Sequence, residues 1–248
     1  MKTIQILFFI FSMVCFNAKA QNWIPDLGNG SYKNPILYAD YSDPDIIRVG
    51  EDFYMVASSF NAMPGIPILH SKDLVNWKII NHIYDRLPLE KYEKPAHGEG
   101  SWAPSIRYHN GTFYVYFCTP NDGLFMASAK NPAEKWNLNL VEKVEKWEDP
   151  CPLWDDDGNA YLVRGKVCAN ELYLHKMSPD GMKILDNGKL IYKDLLKQPI
   201  IEGPKFLKKD GYYYIFAPAG SVPEGWQTAL RSKNIYGPYE DKIILHQG

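Results

Sequence analysis

The sequence predicts an all-β fold of the β-propeller type, and two observations lead to this prediction. A phrase recurs four times along the 248 residues: an acidic or small residue, a proline, an apolar strand, a turn with Gly and an aromatic-rich strand. The prolines of the four copies are Pro44, Pro104, Pro150 and Pro204, which lie 60, 46 and 54 residues apart. Helical periodicity is nearly absent, and four antiparallel strands in about 40 to 50 residues are typical of a propeller blade.

Each copy begins with a predicted hairpin. The two strands of the hairpins are separated by turns rich in Gly, Asn and Asp: Gly50-Glu51-Asp52, Asn110-Gly111, Asp157-Gly158 and Asp210-Gly211. These residues accept the positive φ that tight hairpin turns require. In the first copy, segments 66–70 and 77–80 add two further strands. Each repeat is therefore predicted to be one four-stranded blade.

The end of the chain offers little room for another blade. The fourth copy ends near Tyr239, and residues 240–248 suffice for one strand and little more. Because a propeller closes into a ring, we expect the chain to stop before its last blade is finished. The propeller domain is expected to occupy residues 21–248 and to be incomplete at its C-terminus.

Residues 1–20 are predicted to be a cleaved signal peptide. Lys2 precedes an apolar run that ends in the triplet Ala18-Lys19-Ala20, which fits an A-x-A cleavage pattern. The run is shorter than the roughly 20 residues of a membrane-spanning helix, so no membrane span is expected. Lipidation at Cys15 is the alternative, although Val14 is bulkier than such processing prefers. We expect a secreted or periplasmic protein.

Charge and cysteine content argue against a nucleic-acid-binding protein and against a fold held by disulfide bonds. Lys and Arg number 27 against 29 Asp and Glu, so no basic surface for nucleic acid is expected. The three cysteines beyond the signal peptide, Cys118, Cys151 and Cys168, are odd in number and do not suggest a disulfide framework. The sequence does not define an oligomeric state.

Three repeats carry an acid at their start. Asp43 and Asp149 stand directly before a proline, and Glu202 stands before Gly203 and Pro204. A residue before proline favours extended backbone and fits the first position of a strand, and the first strand of a blade lines the channel. Converging carboxyl groups are costly unless ligands or pKa shifts offset their repulsion. They suggest hydrolysis of a glycosidic bond, which uses one protonated acid and one carboxylate.

Several longer phrases resemble family 43 glycoside hydrolases over about residues 33–248. They are Tyr41-Ser42-Asp43-Pro44-Asp45, the run 64–77, Trp102-Ala103-Pro104-Ser105, Asp149-Pro150 before Asp155-Asp156-Asp157-Gly158, and Glu202-Gly203-Pro204. The resemblance implies a five-bladed β-propeller, with about four blades present in this chain. It further implies inverting hydrolysis of β-xylosides or α-L-arabinofuranosides, with xylo- or arabino-oligosaccharides from plant cell walls as substrates. Asp43 would be the general base, Glu202 the general acid, and Asp149 the acid that orients the donor and tunes its pKa.

Three aromatic residues are predicted to contact sugar. Trp102 takes the channel-facing position in the repeat that lacks an acid, where a flat ring can stack on a pentose. Phe60 and Trp226 follow second strands, where loops can rim a pocket. No catalytic metal and no required cofactor are expected, since the acidic run 155–157 lacks the spaced ligands of a calcium loop and fits a hairpin turn. A structural calcium ion in the channel is suggested by the resemblance alone.

Two other functions compete with this interpretation. One is a retaining propeller enzyme of the invertase type, whose Asn-Asp-Pro-Asn-Gly, Arg-Asp-Pro and Glu-Cys phrases differ from those present here. The other is a glycan-binding propeller without catalysis. The presence of all three acids argues against the second, because binding alone needs no protonated donor.

Overall fold

The computed structural model describes residues 23–94 and 96–247, so the predicted signal peptide lies outside the described residues. Sixteen described strands form four antiparallel sheets of four strands each. The first two sheets consist of β1 (Asp45–Val49), β2 (Asp52–Val56), β3 (Gly65–Ser71) and β4 (Lys78–Tyr84), then β5 (Trp102–His109), β6 (Thr112–Thr119), β7 (Gly123–Ala129) and β8 (Asn137–Glu142). The other two consist of β9 (Trp147–Trp154), β10 (Ala160–Lys166), β11 (Leu172–Met177) and β12 (Lys189–Tyr192), then β13 (Lys205–Lys209), β14 (Tyr212–Ala219), β15 (Trp226–Ser232) and β16 (Glu240–His246).

Within every sheet the strands are neighbours in chain order, which is the topology of a propeller blade. The predicted hairpin turns are confirmed. Asn110 and Gly111 have φ of 46° and 72°, and Asp210 and Gly211 have φ of 51° and 75°. The rest of the described chain holds a 3₁₀ turn at Glu90–Glu93 and one short helix, α1 (Ser221–Glu224). No helix among the described residues is long and apolar enough to cross a membrane.

The hydrophobic core lies between adjacent blades. Strand β6 illustrates how period-two alternation fills it. Phe113, Val115 and Phe117 are buried against the first blade, while Tyr116 and Cys118 are buried against the third. A third cluster joins the third and fourth blades. Each inner blade therefore buries both faces, and the stack of blades is stabilised by apolar area removed from water.

The first strands of the blades lie side by side, with β1 against β5, β5 against β9, and β9 against β13. The first strands of the fourth and second blades are also joined by a polar contact: Lys205 Nζ on β13 donates to Ser105 Oγ at 3.0 Å and to Pro104 O at 3.1 Å, both on β5. These inner strands form the wall of the channel, as the propeller prediction requires.

The segment after Tyr239 differs from the prediction. Residues 240–246 form β16, the outer strand of the fourth blade, rather than the first strand of a further blade. Arg231 pairs with Glu240 and Trp226 with His246, so the strand is held by the edge of β15. Four complete blades are thus described.

Candidate active site

The backbone turns sharply before each repeat proline. The four residues concerned have positive φ: Asp43 51°, Ala103 29°, Asp149 55° and Gly203 58°. The expectation of extended backbone at these positions is wrong. At Ala103 and Asp149 the cause is a β-bulge, because the first strand places two residues opposite one residue of the second strand. Left-handed backbone at residues other than glycine costs of order 1–3 kcal/mol and clusters at functional sites.

These turns bring the three predicted catalytic acids together. Asp43, Asp149 and Glu202 line one cavity of about 520 Å³, and Phe60 and Trp102 line the same cavity. Five of the six predicted site residues are therefore neighbours, although they come from four different blades or from the loops next to their strands.

Asp43 lies at the solvent-exposed side of the cavity. Ser58 Oγ donates a hydrogen bond of 2.6 Å to Asp43 Oδ2, and the backbone N–H of Ala103 donates to Ser58 Oγ at 2.8 Å. The carboxylate is thus oriented by a hydroxyl group that the second blade holds in place. A carboxylate that is fixed and open to water can activate a water molecule.

Asp149 is buried, with 7% of its surface exposed. Burial raises the pKa of Asp149 to about 6, and the negative charges of Glu202 and Asp43 act in the same direction. The Gly203 N–H, which donates to Asp149 Oδ2 at 2.7 Å, and the Lys205 ammonium both oppose this rise in pKa. Of the described residues that line the cavity, Lys205 is the only basic one.

Glu202 is half-buried, and its backbone N–H donates to Pro218 O at 3.1 Å. Burial raises the pKa of Glu202, and the negative charge of Asp43 raises it further. The raised pKa keeps the carboxyl group protonated to higher pH than that of a free glutamate. This is the property required of a proton donor.

Two of the predicted aromatic residues form one wall of the cavity. The rings of Phe60 and Trp102 meet edge to face, with centroids 6.0 Å apart and planes at 73°. Trp102 Nε1 donates to Gly98 O at 2.8 Å, which fixes the indole and leaves its face for a ligand. Such a fixed, flat surface suits stacking against a sugar ring.

Trp226 lies beside this cavity rather than in it. It lines a neighbouring cavity of about 420 Å³ that shares Glu202 and Gln227 with the first, and its Nε1 donates to Gln198 Oε1 at 2.7 Å. Successive residues of a strand point to opposite faces, so Gln227 and not Trp226 reaches the cavity of the acids. A contact between Trp226 and sugar stays a prediction.

Three polar residues of the cavity were not predicted from the sequence: Glu148, Lys205 and Gln227. A signal for Glu148 was present. It lies two residues before Pro150, as Glu202 lies two residues before Pro204 and Trp102 two residues before Pro104. This shared position, and not only the acid nearest the proline, is the feature of the sequence that points to Glu148.

The acidic run 155–157 forms a hairpin turn between β9 and β10, as predicted. Asp155 is paired with Lys208 Nζ at 2.5 Å and accepts a hydrogen bond from the Tyr213 hydroxyl group, so its carboxylate joins the third and fourth blades. Across residues 23–94 and 96–247, no group of three or more His, Cys, Asp or Glu is placed to hold a metal ion. The structural calcium ion and the lack of a required cofactor stay predictions.

The fold and the site together define a class of protein, a β-propeller whose first, third and fourth blades direct carboxyl groups into one channel cavity, as in the propeller glycoside hydrolases. The chain belongs to glycosyl hydrolases family 43, whose family model matches residues 32–247. The resemblance drawn from the sequence phrases is confirmed, and the membership separates the chain from the invertase type.

Several curated relatives are similar over most of this chain. A protein of Xylanibacter ruminicola, provisionally named as a beta-xylosidase, is 52% identical over 225 residues, which cover 90% of this chain and 42% of that protein. A beta-xylosidase of Formosa agariphila is 38% identical, and the match covers 93% of this chain and 44% of that protein. A non-reducing end alpha-L-arabinofuranosidase of Bacteroides ovatus is 36% identical, and the match covers 88% of this chain and 42% of that protein. The chain thus spans about two fifths of the length of these relatives.

Solved structures show the same fold. A family 43 protein of the Bacteroides ovatus xyloglucan locus superposes with a TM-score of 0.73 at 35% identity, over 84% of this chain and 42% of that chain. A xylan beta-1,4-xylosidase of Bacillus halodurans superposes with a TM-score of 0.74 at 32% identity, over 84% and 43%.

Proposed function

We propose that this protein is an exported, inverting glycoside hydrolase that removes pentose units from plant cell-wall polysaccharides or oligosaccharides, acting on β-xylosides or α-L-arabinofuranosides. The observation that carries the proposal is the meeting of Asp43, Asp149 and Glu202 in one cavity, with the pKa of Glu202 raised by burial. Family membership and the names of the relatives support the substrate class.

In the proposed reaction, the protonated carboxyl group of Glu202 donates its proton to the glycosidic oxygen as the bond to the leaving group breaks. Asp43 takes a proton from a water molecule, which attacks the anomeric carbon from the opposite face. Asp149 orients and tunes the donor. Burial and the negative charge of Asp43 favour the protonated form of Glu202.

We further propose that the ring is of the five-bladed type. The fourth blade buries Tyr213, Ile215 and Ala217 against the third blade, so the alternate residues Tyr212, Tyr214 and Phe216 occupy its other face. These three rings form a half-buried ladder, with centroids 6.3 Å apart at each step. An aromatic ladder of this kind suits packing against a further blade. The greater length of the relatives agrees with this proposal.

The test is a release assay with aryl β-D-xylopyranoside, aryl α-L-arabinofuranoside, xylan, arabinoxylan and arabinan. We expect pentose release from at least one of them. Proton NMR of the first product should show the opposite anomer, because water attacks the anomeric carbon from the face opposite the leaving group; an inverting mechanism also needs carboxyl groups roughly 6.5 to 9.5 Å apart to hold this water. A retained anomer would contradict the inverting mechanism. Binding of these glycans without any turnover would instead support a glycan-binding propeller.

Export by the predicted signal peptide needs its own test. The full-length gene product should lose residues 1–20 on secretion, which mass spectrometry of the secreted or periplasmic protein would show. An unprocessed N-terminus in the cytoplasm would contradict the proposed localisation.

A further inference from the structure

A fourth carboxyl group, that of Glu148, lines the cavity with the three acids described above. It lies on β9 directly before Asp149. Its place in the repeat is the one that Trp102 and Glu202 occupy in their own blades, two residues before the proline. All three of these side chains line the same cavity. In three of the four repeats this position therefore faces the cavity, whether it holds a tryptophan or a glutamate, whereas Ser42 in the first repeat donates to Asp40 instead.

The opposite strand makes room for the Glu148 side chain. Glu148 pairs with Gly165 on β10, next to the bulge that contains Asp149. A Cβ atom added to Gly165 would lie 2.8 Å from Glu148 Cγ, which is closer than real contacts of this kind. A glycine at this place thus allows the glutamate to lie across the strand and reach the cavity.

The charges around Glu148 come from several elements. Asp149 is its neighbour in the chain, Glu202 faces it from the fourth blade, and the Arg164 guanidinium faces it from β10. The Cys118 thiol on β6 is also close enough to sense its charge. Burial, together with the negative charges of Asp149 and Glu202, raises the pKa of Glu148 to about 8, and Arg164 opposes this rise. Within the described residues no protein hydrogen bond contributes to this shift, so the carboxyl oxygens are available to a ligand.

We propose that Glu148 is a substrate-binding residue whose neutral carboxyl group donates a hydrogen bond to a hydroxyl group of the bound sugar. The inference rests on the proposed function and adds a residue to it. A neutral donor is suited to this place, because another carboxylate beside Asp149 and Glu202 would repel both. Its removal is expected to weaken binding of the substrate more than the chemical step, since the hydrogen bond is made in the ground state as well as in the transition state.

The experiment compares Glu148→Gln and Glu148→Ala with the wild-type chain. Glu148→Gln keeps the size and a donor group, so KM should stay within about twofold, whereas Glu148→Ala should raise KM about tenfold, as expected for one lost hydrogen bond. Above pH 8 the wild-type KM should rise, because the ionised carboxyl group no longer donates, and the KM of Glu148→Gln should not. Glu145→Gln, an exposed acid three residues earlier, is the control and should behave as wild type.

Calorimetric titration with xylotriose and arabinotriose separates this inference from the proposed function. Weaker binding by Glu148→Ala supports the role of Glu148, even if no turnover is detected. Equal KM and equal affinity in wild type and Glu148→Ala, with hydrolysis intact, would overturn the inference and leave the proposed function standing. A wild-type chain that neither hydrolyses nor binds these sugars would overturn both.

Discussion

Ser58 Oγ donates a hydrogen bond of 2.6 Å to Asp43 Oδ2 across 15 residues of the chain. Ser58 is itself held by the backbone N–H of Ala103, which lies in the bulge at the start of the second blade. The orientation of the proposed general base therefore depends on the contact between two blades. Ser58 acts through Asp43 and is a positioning residue.

Ser58→Ala is expected to lower kcat by about 10- to 100-fold, because a hydrogen bond to a charged group contributes about 1.5–3 kcal/mol. KM should change little, since Ser58 is not among the residues that line the cavity. Steady-state kinetics on an aryl pentoside would measure both. Ser31→Ala, an exposed serine before the first blade, is the control. An unchanged kcat in a folded Ser58→Ala variant would show that Asp43 needs no such support.

Glu202→Gln is expected to lower kcat by about 10²- to 10⁴-fold on substrates with a poor leaving group, the usual contribution of a general acid. An aryl glycoside with a good leaving group should lose at least tenfold less, because its departure needs little protonation. Rates on xylobiose and on a nitrophenyl glycoside give the comparison, with the exposed Glu224→Gln as control. Equal reductions of kcat on both substrates would show that a residue other than Glu202 is the proton donor.

Ionisation of Asp149 should make the folded protein less stable at neutral pH than at acidic pH. Burial raises its pKa to about 6 in the folded protein from the ordinary value of 3.8, so the folded state holds this proton more tightly than the unfolded state. The stability gained from that proton is fully present below pH 3.8 and is lost as pH rises through 6. Asp149→Asn does not titrate, and Asn can still accept the Gly203 hydrogen bond.

The free energy of unfolding of Asp149→Asn, relative to wild type, should therefore increase by roughly 2 kcal/mol between pH 4 and pH 7. Urea unfolding across this range measures it. Asp210→Asn, in an exposed turn with a φ of 51° that Asn also accepts, is the control and should show no such trend. A difference between Asp149→Asn and wild type that does not vary with pH would contradict the raised pKa.

The sequence predicted the blades because its local signals agree with the fold. A dipeptide such as Asn110-Gly111 favours few backbone conformations other than a tight hairpin turn. The period-two apolar pattern of β6 places side chains in two hydrophobic cores at once. It did not predict the left-handed backbone at Asp149, because the preference of residues before proline for extended backbone is local and the bulge arises from pairing with β10. Lys205 was missed for a similar reason: its role depends on acceptors on β5, about 100 residues away.

Arg107 and Asp45 link the inner strands of the first two blades. Arg107 Nη1 donates to Asp45 Oδ2 at 2.6 Å, and the same oxygen accepts the Ile106 N–H at 2.9 Å. Arg107 also donates to Cys151 Sγ, which accepts the backbone N–H of Phe206 at 3.1 Å. One buried network thus joins all four blades.

Arg107→Met is expected to lower the free energy of unfolding by about 3–5 kcal/mol, because it leaves the Asp45 carboxylate, only 8% exposed, without its partner. The double variant Asp45→Asn/Arg107→Met should recover part of this loss, since Asn carries no charge and can still accept the Ile106 N–H. Denaturant unfolding of both variants gives the comparison, and Arg48→Met, at an exposed position of β1, is the control. A loss below about 1 kcal/mol for Arg107→Met, or no recovery in the double variant, would show that apolar packing between the blades and not this ion pair stabilises the inner strands.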